Sequence, residues 1–168
     1  GDKLASYRLI AETLPYLDAG WSLEIAGDGP ARAEVEALMA PFGSRVRFLG
    51  QLDREALQSA YDRASVFFWP GVNEAFGMVY LEAQAAGLPV VAQDRPGVRD
   101  VLLPGPAYPA PTEGAQALAM MLNRLLQDTA RRRETGAQAR DRVADRHLAK
   151  AASDIFWRAA GPLLERSR

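Results

Sequence analysis

Two short runs of this chain, Val66-Phe67-Phe68-Trp69 and Leu88-Pro89-Val90-Val91-Ala92, are solidly apolar, and a segment with helical character joins them. Strands that read as continuous apolar runs are those buried on both faces, the condition of a parallel sheet covered by helices. Parallel neighbours need a crossover connection, and here a helix supplies it. The same alternation extends upstream. Residues 3–17 carry Leu4, Tyr7, Ile10, Ala11, Leu14 and Leu17 at helical spacing. A strand from Trp21 to Ala26 follows, closed by Gly27-Asp28-Gly29-Pro30, then a helix from Ala31 to Ala40 with proline just inside its start. Phe42-Gly43-Ser44 turns the chain into a strand from Arg45 to Leu49. Asp53 is the N-cap expected for a helix from Arg54 to Arg63. The expected fold is therefore Rossmann-like: a three-layer α/β/α domain around a parallel sheet.

Beyond Ala92 the character changes. Pro96, Pro104, Pro106, Pro109 and Pro111 punctuate a loop-rich stretch with at most a short helix near Val98–Leu103. An amphipathic helix then runs from Glu113 to Leu126, an Arg-rich helix spans 129–147, and a last helix covers roughly 148–165. With 168 residues, 48% hydrophobic and 24% charged, a single domain accounts for the whole chain. The net charge of −1 gives no general attraction to nucleic acid or anionic membrane. The lack of cysteine removes disulfides, thiolate metal sites and thiol nucleophiles. No apolar run is long enough to span a bilayer, so a cytoplasmic protein is the expectation. The chain starts at Gly1 and enters a helical pattern at once, which reads as a piece of a longer protein.

Chemistry concentrates between the two apolar runs. From Phe76 to Ala86 only Glu82 and Gln84 are strongly polar, so the helix reads as buried nearly all round. A carboxylate in such a helix needs a partner. Glu74 stands at the mouth of the same helix, beyond the carboxyl end of a strand, where open α/β sheets bind ligands. The amides of Phe76, Gly77, Met78 and Val79 would start the helix as donors open to an anion. Gly77, lacking a Cβ, would let a phosphate approach the backbone. Flanking carboxylates would accept hydrogen bonds from hydroxyls, so the two together suit a nucleotide sugar. On spacing alone a plainer reading stands beside this one: Glu74 as a helix-start acid, and Glu82 bonded to nearby backbone. Gly27-Asp28-Gly29 offers the G-x-G of a nicotinamide site, but Arg32 occupies the third glycine position, and a tight βα turn explains both glycines. His147, the sole histidine, is remote from this stretch. The Arg131–Arg146 run is interleaved with Glu134, Asp141 and Asp145 and contains no aromatic residue, which fits a solvated helical face better than a nucleic-acid surface.

Glu74-Ala75-Phe76-Gly77-Met78-Val79-Tyr80-Leu81-Glu82-Ala83, followed by Ala86-Gly87-Leu88-Pro89-Val90-Val91, resembles the E-x7-E signature of group 1 (family 4) retaining glycosyltransferases. Ile25-Ala26-Gly27-Asp28-Gly29-Pro30, Val46-Arg47-Phe48-Leu49-Gly50 and the stretch from Tyr61 through Ala64-Ser65-Val66 to Pro70 fall in the family's order, so the likeness covers roughly residues 21–102. The resemblance implies the carboxyl-terminal, donor-binding half of a GT-B enzyme, with an amino-terminal acceptor domain absent from this chain. It implies that Glu74, the catalytic carboxylate, contacts the donor sugar and that Glu82 holds the ribose. It further implies that the amides around Phe76, Gly77, Met78 and Val79 grip the diphosphate. Gly50, Gln51 and Leu52 would lie against the base, and Lys3 would neutralise the diphosphate. The implied activity is retaining transfer of a hexosyl group from a nucleotide-diphosphate sugar to an acceptor hydroxyl. The nucleotide sugar is a co-substrate, with no bound metal or other cofactor. The parent enzyme is expected in the cytoplasm, with peripheral membrane association open to it. The final helix, with Phe156 and Trp157, would pack toward the absent domain. The isolated chain is expected to be inactive. A non-catalytic nucleotide-binding module and a nicotinamide oxidoreductase domain are the alternatives. Three departures fall on the sugar side: Gly71 replaces the usual serine, Pro96-Gly97-Val98-Arg99-Asp100 matches the family's Gly-Gly-x-Pro-Glu turn only loosely, and Pro104–Pro111 is short and proline-rich beside its usual counterpart.

Overall fold

The computed structural model describes residues 3–18 and 20–146. Helix α1 (Lys3–Thr13) leads through a 3-10 turn (Leu14–Tyr16) to β1 (Leu23–Ala26), α2 (Arg32–Met39), β2 (Val46–Gly50), α3 (Arg54–Arg63) and β3 (Phe67–Phe68). Then come α4 (Met78–Ala85), β4 (Val90–Val91), α5 (Gly114–Gln127) and α6 (Thr129–Arg146). Both strand pairs are parallel: β1 with β2, and β3 with β4. The helix expected over 3–17 stops at Thr13 because Pro15 tightens the chain into the 3-10 turn. The stretch near Val98–Leu103 forms successive turns, with Val98 N–H and Arg99 N–H both donating to Arg95 O. The expected helix at 148–165 and His147 lie outside the described residues.

Neighbouring residues of β3 and β4 point to opposite faces, and each face finds a helix. Val90 and Phe67 pack with Tyr80 and Ala83 of α4, while Val91 and Phe68 pack with Leu118, Leu122 and Leu125 of α5. Helix, sheet and helix are thus stacked in three layers here. The β1–β2 pair departs from the expectation of full burial. Ile25 packs on one side with Ile10 of α1, Leu14 of the 3-10 turn, and Val35 and Met39 of α2. Its neighbour Glu24 faces the other way, pairing with Arg47 and with Arg63 at 3.5 Å. Helix α3 buries none of its residues fully, so that face stays partly wet and its charges are solvated. Phe68 and Trp69 touch the cores of both strand pairs and join them into one body.

Helix α4 is also not buried all round. Tyr80, Ala83 and Gln84 point inward, whereas Glu82 is exposed and Met78 is 58% exposed. The buried polar side chain is Gln84, 1% exposed, whose amide donates to Tyr80 O (3.0 Å) and Val101 O (2.8 Å). The unbroken apolar run misled because α4 is short. Two turns suffice to put Glu82 on the outer face while Gln84, two residues on, turns inward.

Candidate functional site

The site is built where β3 ends. Trp69 N–H donates to Val91 O (3.0 Å) and Gln93 N–H to Pro70 O (3.2 Å), so the parallel pairing extends past the strand into the loop. Gly71 then turns with φ of 77°. A Cβ there would meet the Tyr80 hydroxyl at 2.2 Å, which accounts for glycine at this position. That hydroxyl donates to Trp69 O at 3.1 Å. Burial and the charge of Glu74 push the Tyr80 phenol far above its ordinary value, opposed by Arg95, so it remains a donor. Val72 N–H donates to the fully buried Ser6 Oγ at 2.9 Å, tying α1 to this loop. Asn73 takes a left-handed conformation (φ 57°), which its short polar side chain tolerates. Glu74 N–H returns to Gly71 O at 3.2 Å and closes the turn.

Glu74 is half-buried and both of its carboxylate oxygens face donors. Trp69 Nε1–H points at Oε2 and Gly77 N–H at Oε1, each at 3.4 Å. The Gly77 amide is therefore directed at Glu74, and is not among the amides left open to an anion. Nor does Gly77 serve to admit a phosphate. It turns left-handed (φ 64°), and its absent Cβ would meet Val101 Cγ2 at 2.6 Å and Tyr80 Cδ2 at 3.1 Å, inside the fold. Met78 and Val79 begin α4, and their amides have no acceptor within the helix. Phe76 is 79% exposed beside them.

Glu82 lies on the outer face of α4 with its Oε2 at 3.4 Å from the Tyr61 hydroxyl of α3. Burial, then the charge and hydrogen bond of Glu82, push the Tyr61 phenol up to about 12. At the end of β2, Gly50 bends the chain out, with Gln51 exposed and Leu52 half-buried, before Asp53 Oδ1 caps α3 at Ala56 N–H (2.8 Å). Gly27 N–H donates to Gly50 O at 2.7 Å, bringing the Gly27–Pro30 turn beside Gly50–Leu52 at the same sheet edge. Lys3 is exposed at the start of α1, a turn before Ser6 and Tyr7, and the Tyr7 ring meets Trp69 edge-on at 5.2 Å.

The fold thus sets Glu74, Phe76, Gly77, Met78 and Val79 about the start of α4 and Glu82 one turn along it, with Gly50, Gln51 and Leu52 where β2 leads into α3. Sequence reasoning missed the residues that hold this edge in place. Ser6, Trp69 and Tyr80 anchor the loop. Gln93 Oε1 accepts from Arg95 Nε (3.0 Å) and Nη2 (2.6 Å), fixing a cation near Tyr80. Gly97 lies so close to the loop that a Cβ would be 2.8 Å from Glu74 O. Polar residues that look unremarkable in the chain gain their roles only through contacts across it. Among the described residues no group of three or more His, Cys, Asp or Glu side chains forms a metal site. No helix there is long and apolar enough to cross a membrane. A cleft of about 230 Å³ lined by Asp18, Trp21, Ser65, Asn123, Gln127 and Arg132 lies at the opposite, amino end of the strands. Much of its polar lining is already engaged: Asp18 bonds Asn123 and Gln127, and Arg132 donates to Leu125 O and Leu126 O, while the buried Trp21 Nε1 has no partner among the described residues.

The profile described as "Glycosyl transferases group 1" matches residues 4–142. Among relatives, the chain is similar to the sulfoquinovosyl transferase SQD2 of Arabidopsis thaliana, 40% identical over 45% of this chain and 14% of that protein. It is also similar to the GDP-mannose-dependent monoacylated alpha-(1-6)-phosphatidylinositol monomannoside mannosyltransferase of Corynebacterium glutamicum, 31% identical over 72% of this chain and 34% of that protein. Among solved structures, the sucrose-phosphate synthase of Thermosynechococcus elongatus superposes with a TM-score of 0.77 at 29% identity, over 96% of this chain and 43% of that one. Anabaena HepE in complex with UDP superposes with a TM-score of 0.74 at 20% identity, over 91% and 44%. The chain spans less than half the length of each of these proteins. With the profile matching most of its length, the chain belongs to the group 1 glycosyl transferases and has the Rossmann-like fold of one half of a GT-B enzyme.

Proposed function

We propose that this chain is the donor-binding half of a retaining glycosyltransferase that moves a hexosyl group from a nucleotide-diphosphate sugar to an acceptor hydroxyl. The observation that carries the reading is the pair of acids about the open amino end of α4: Glu74 before it and Glu82 on its outer face. The amides of Met78 and Val79, with the helix dipole behind them, favour an anion there by about 0.3–2 kcal/mol. Glu82, exposed and steadied by Tyr61, accepts from the ribose; Glu74 accepts from the sugar and is the residue nearest the chemistry. Gly50, Gln51 and Leu52 border the base, and Lys3 and the α4 amides offset charge on the diphosphate as it leaves. Solved relatives support this ligand class: HepE was crystallised with UDP and with UDP-glucose, and the pneumococcal GtfA with UDP and GlcNAc. The acceptor belongs to a second domain, consistent with the length the relatives have beyond this match. Relatives named for phosphatidylinositol substrates favour a parent enzyme that works at a membrane surface.

Calorimetry with UDP-, GDP- and ADP-sugars, with NAD as the contrast, tests the reading. One nucleotide sugar binds, and Glu82→Ala weakens it by about tenfold or more, the loss of a hydrogen bond to a charged group. The chain alone transfers no sugar. Binding of NAD alone, indifference to Glu82→Ala, or transfer by the isolated 168 residues would overturn the corresponding part of the proposal.

A further inference from the structure

We propose that Trp69 is a positioning residue for Glu74, setting how that carboxylate meets the donor sugar; the inference rests on the donor-site reading above. Trp69 is held both through its backbone and through its ring. Its N–H is spent on Val91 O, its C=O accepts from the Tyr80 hydroxyl, and its ring abuts Tyr7 edge-on at 5.2 Å. The Tyr7 contact and packing against two core clusters restrain the ring, whose indole N–H faces Glu74 Oε2 at 3.4 Å. Glu74 is held from the opposite side by Gly77 N–H at Oε1. Each carboxylate oxygen accepts more than one hydrogen bond, so these inward donors leave outward lone pairs for sugar hydroxyls. Contacts of 3.4 Å are long without a ligand, and such bonds commonly shorten once substrate is seated. The same tryptophan links α1 to the site, because Tyr7 lies one turn beyond Lys3 and Ser6 Oγ binds Val72 N–H in the loop that carries Glu74. Fixing Glu74 and the start of α1 together sets the sugar side and the phosphate side in one frame.

The test is Trp69→Phe, which keeps an aromatic ring against Tyr7 and removes the N–H. Titrating wild type and variant with the nucleotide sugar and with its nucleoside diphosphate separates positioning from folding. The expected result is a loss on the order of tenfold for the nucleotide sugar with the diphosphate unchanged. Equal losses for both ligands, or no loss for either, overturn the proposal. A second arm needs no ligand and keeps Trp69 in place. The chain has three tryptophans. In a nitrogen-15 correlation spectrum, Glu74→Ala should shift the Trp69 indole signal and speed its proton exchange; an unmoved signal overturns the contact. Should wild type bind no nucleotide sugar, the donor reading fails, while the indole arm still decides whether Trp69 and Glu74 are bonded.

Discussion

At the scale of single residues, Tyr61 and Glu82 give the site a titration that can be read directly. The Tyr61 phenol is pushed up from 10.0 to about 12, by burial first and by Glu82 after it. Glu82→Gln removes the charge and should bring the Tyr61 midpoint part of the way back toward 10.0, seen in the ultraviolet absorbance of tyrosinate. A group whose folded value is raised contributes stability fully below its unfolded value and loses it as pH rises through the folded one. The Tyr61 contribution is therefore intact below about pH 10, and it fades toward about pH 12, over a narrower window in the variant. The same pair shows what residue types alone convey. Glu82 stood out as the acid in an apolar run, and its place on the helix that carries the candidate site was legible. Its exposure was not, because burial depends on which side of a two-turn helix meets the sheet. Trp69 read only as a strand residue, since nothing local announces that its N–H faces an acid five positions on.

At the scale of elements, the packing of α6 on the turn after α4 depends on a missing side chain. A Cβ at Gly136 would lie 2.0 Å from Gly87 O and 3.0 Å from Gly87 C, atoms of the backbone that cannot swing aside. Alanine at a helix interior gains about 1 kcal/mol over glycine. The overpacking opposes it with a typical cost of about 1–3 kcal/mol, so Gly136→Ala should lower the urea midpoint despite its better helix propensity. The Arg-rich reading of α6 holds for Arg131, Arg133, Arg140 and Arg146, which are exposed. Arg132 departs from it, since its guanidinium closes the carboxyl end of α5 on Leu125 O and Leu126 O. Elements were legible because helical spacing and apolar runs are local. Their ends shifted where proline intervened or where, as at β4, only Val90 and Val91 pair.

Across the whole molecule, α1 is fastened at both ends by contacts between distant parts of the chain. Near its start Ser6 Oγ accepts from Val72 N–H, and beyond its end Asp18 N–H donates to Asn123 Oδ1 while Asn123 donates to Tyr16 O. Ser6→Ala leaves the Val72 N–H without its partner, at a cost of about 1–3 kcal/mol. Thermal unfolding should record the fall, with the secondary structure before melting unchanged. These fastenings were invisible in the sequence. A serine among apolar positions of a helix reads as tolerated, and only the completed fold brings residue 72 to it. The parallel order of strands was legible, because a helix between two apolar runs leaves little other topology.

The glycines of the site edge also set where its sequence can vary. At Gly71, Gly77 and Gly97 the space for a side chain is already filled by Tyr80, Val101 and the backbone of Glu74. Ala75, Phe76 and Met78, interleaved among them, face solvent. A library meant to retune what this edge accepts belongs at those three positions, since they can take new side chains while the frame beneath them stays closed to change.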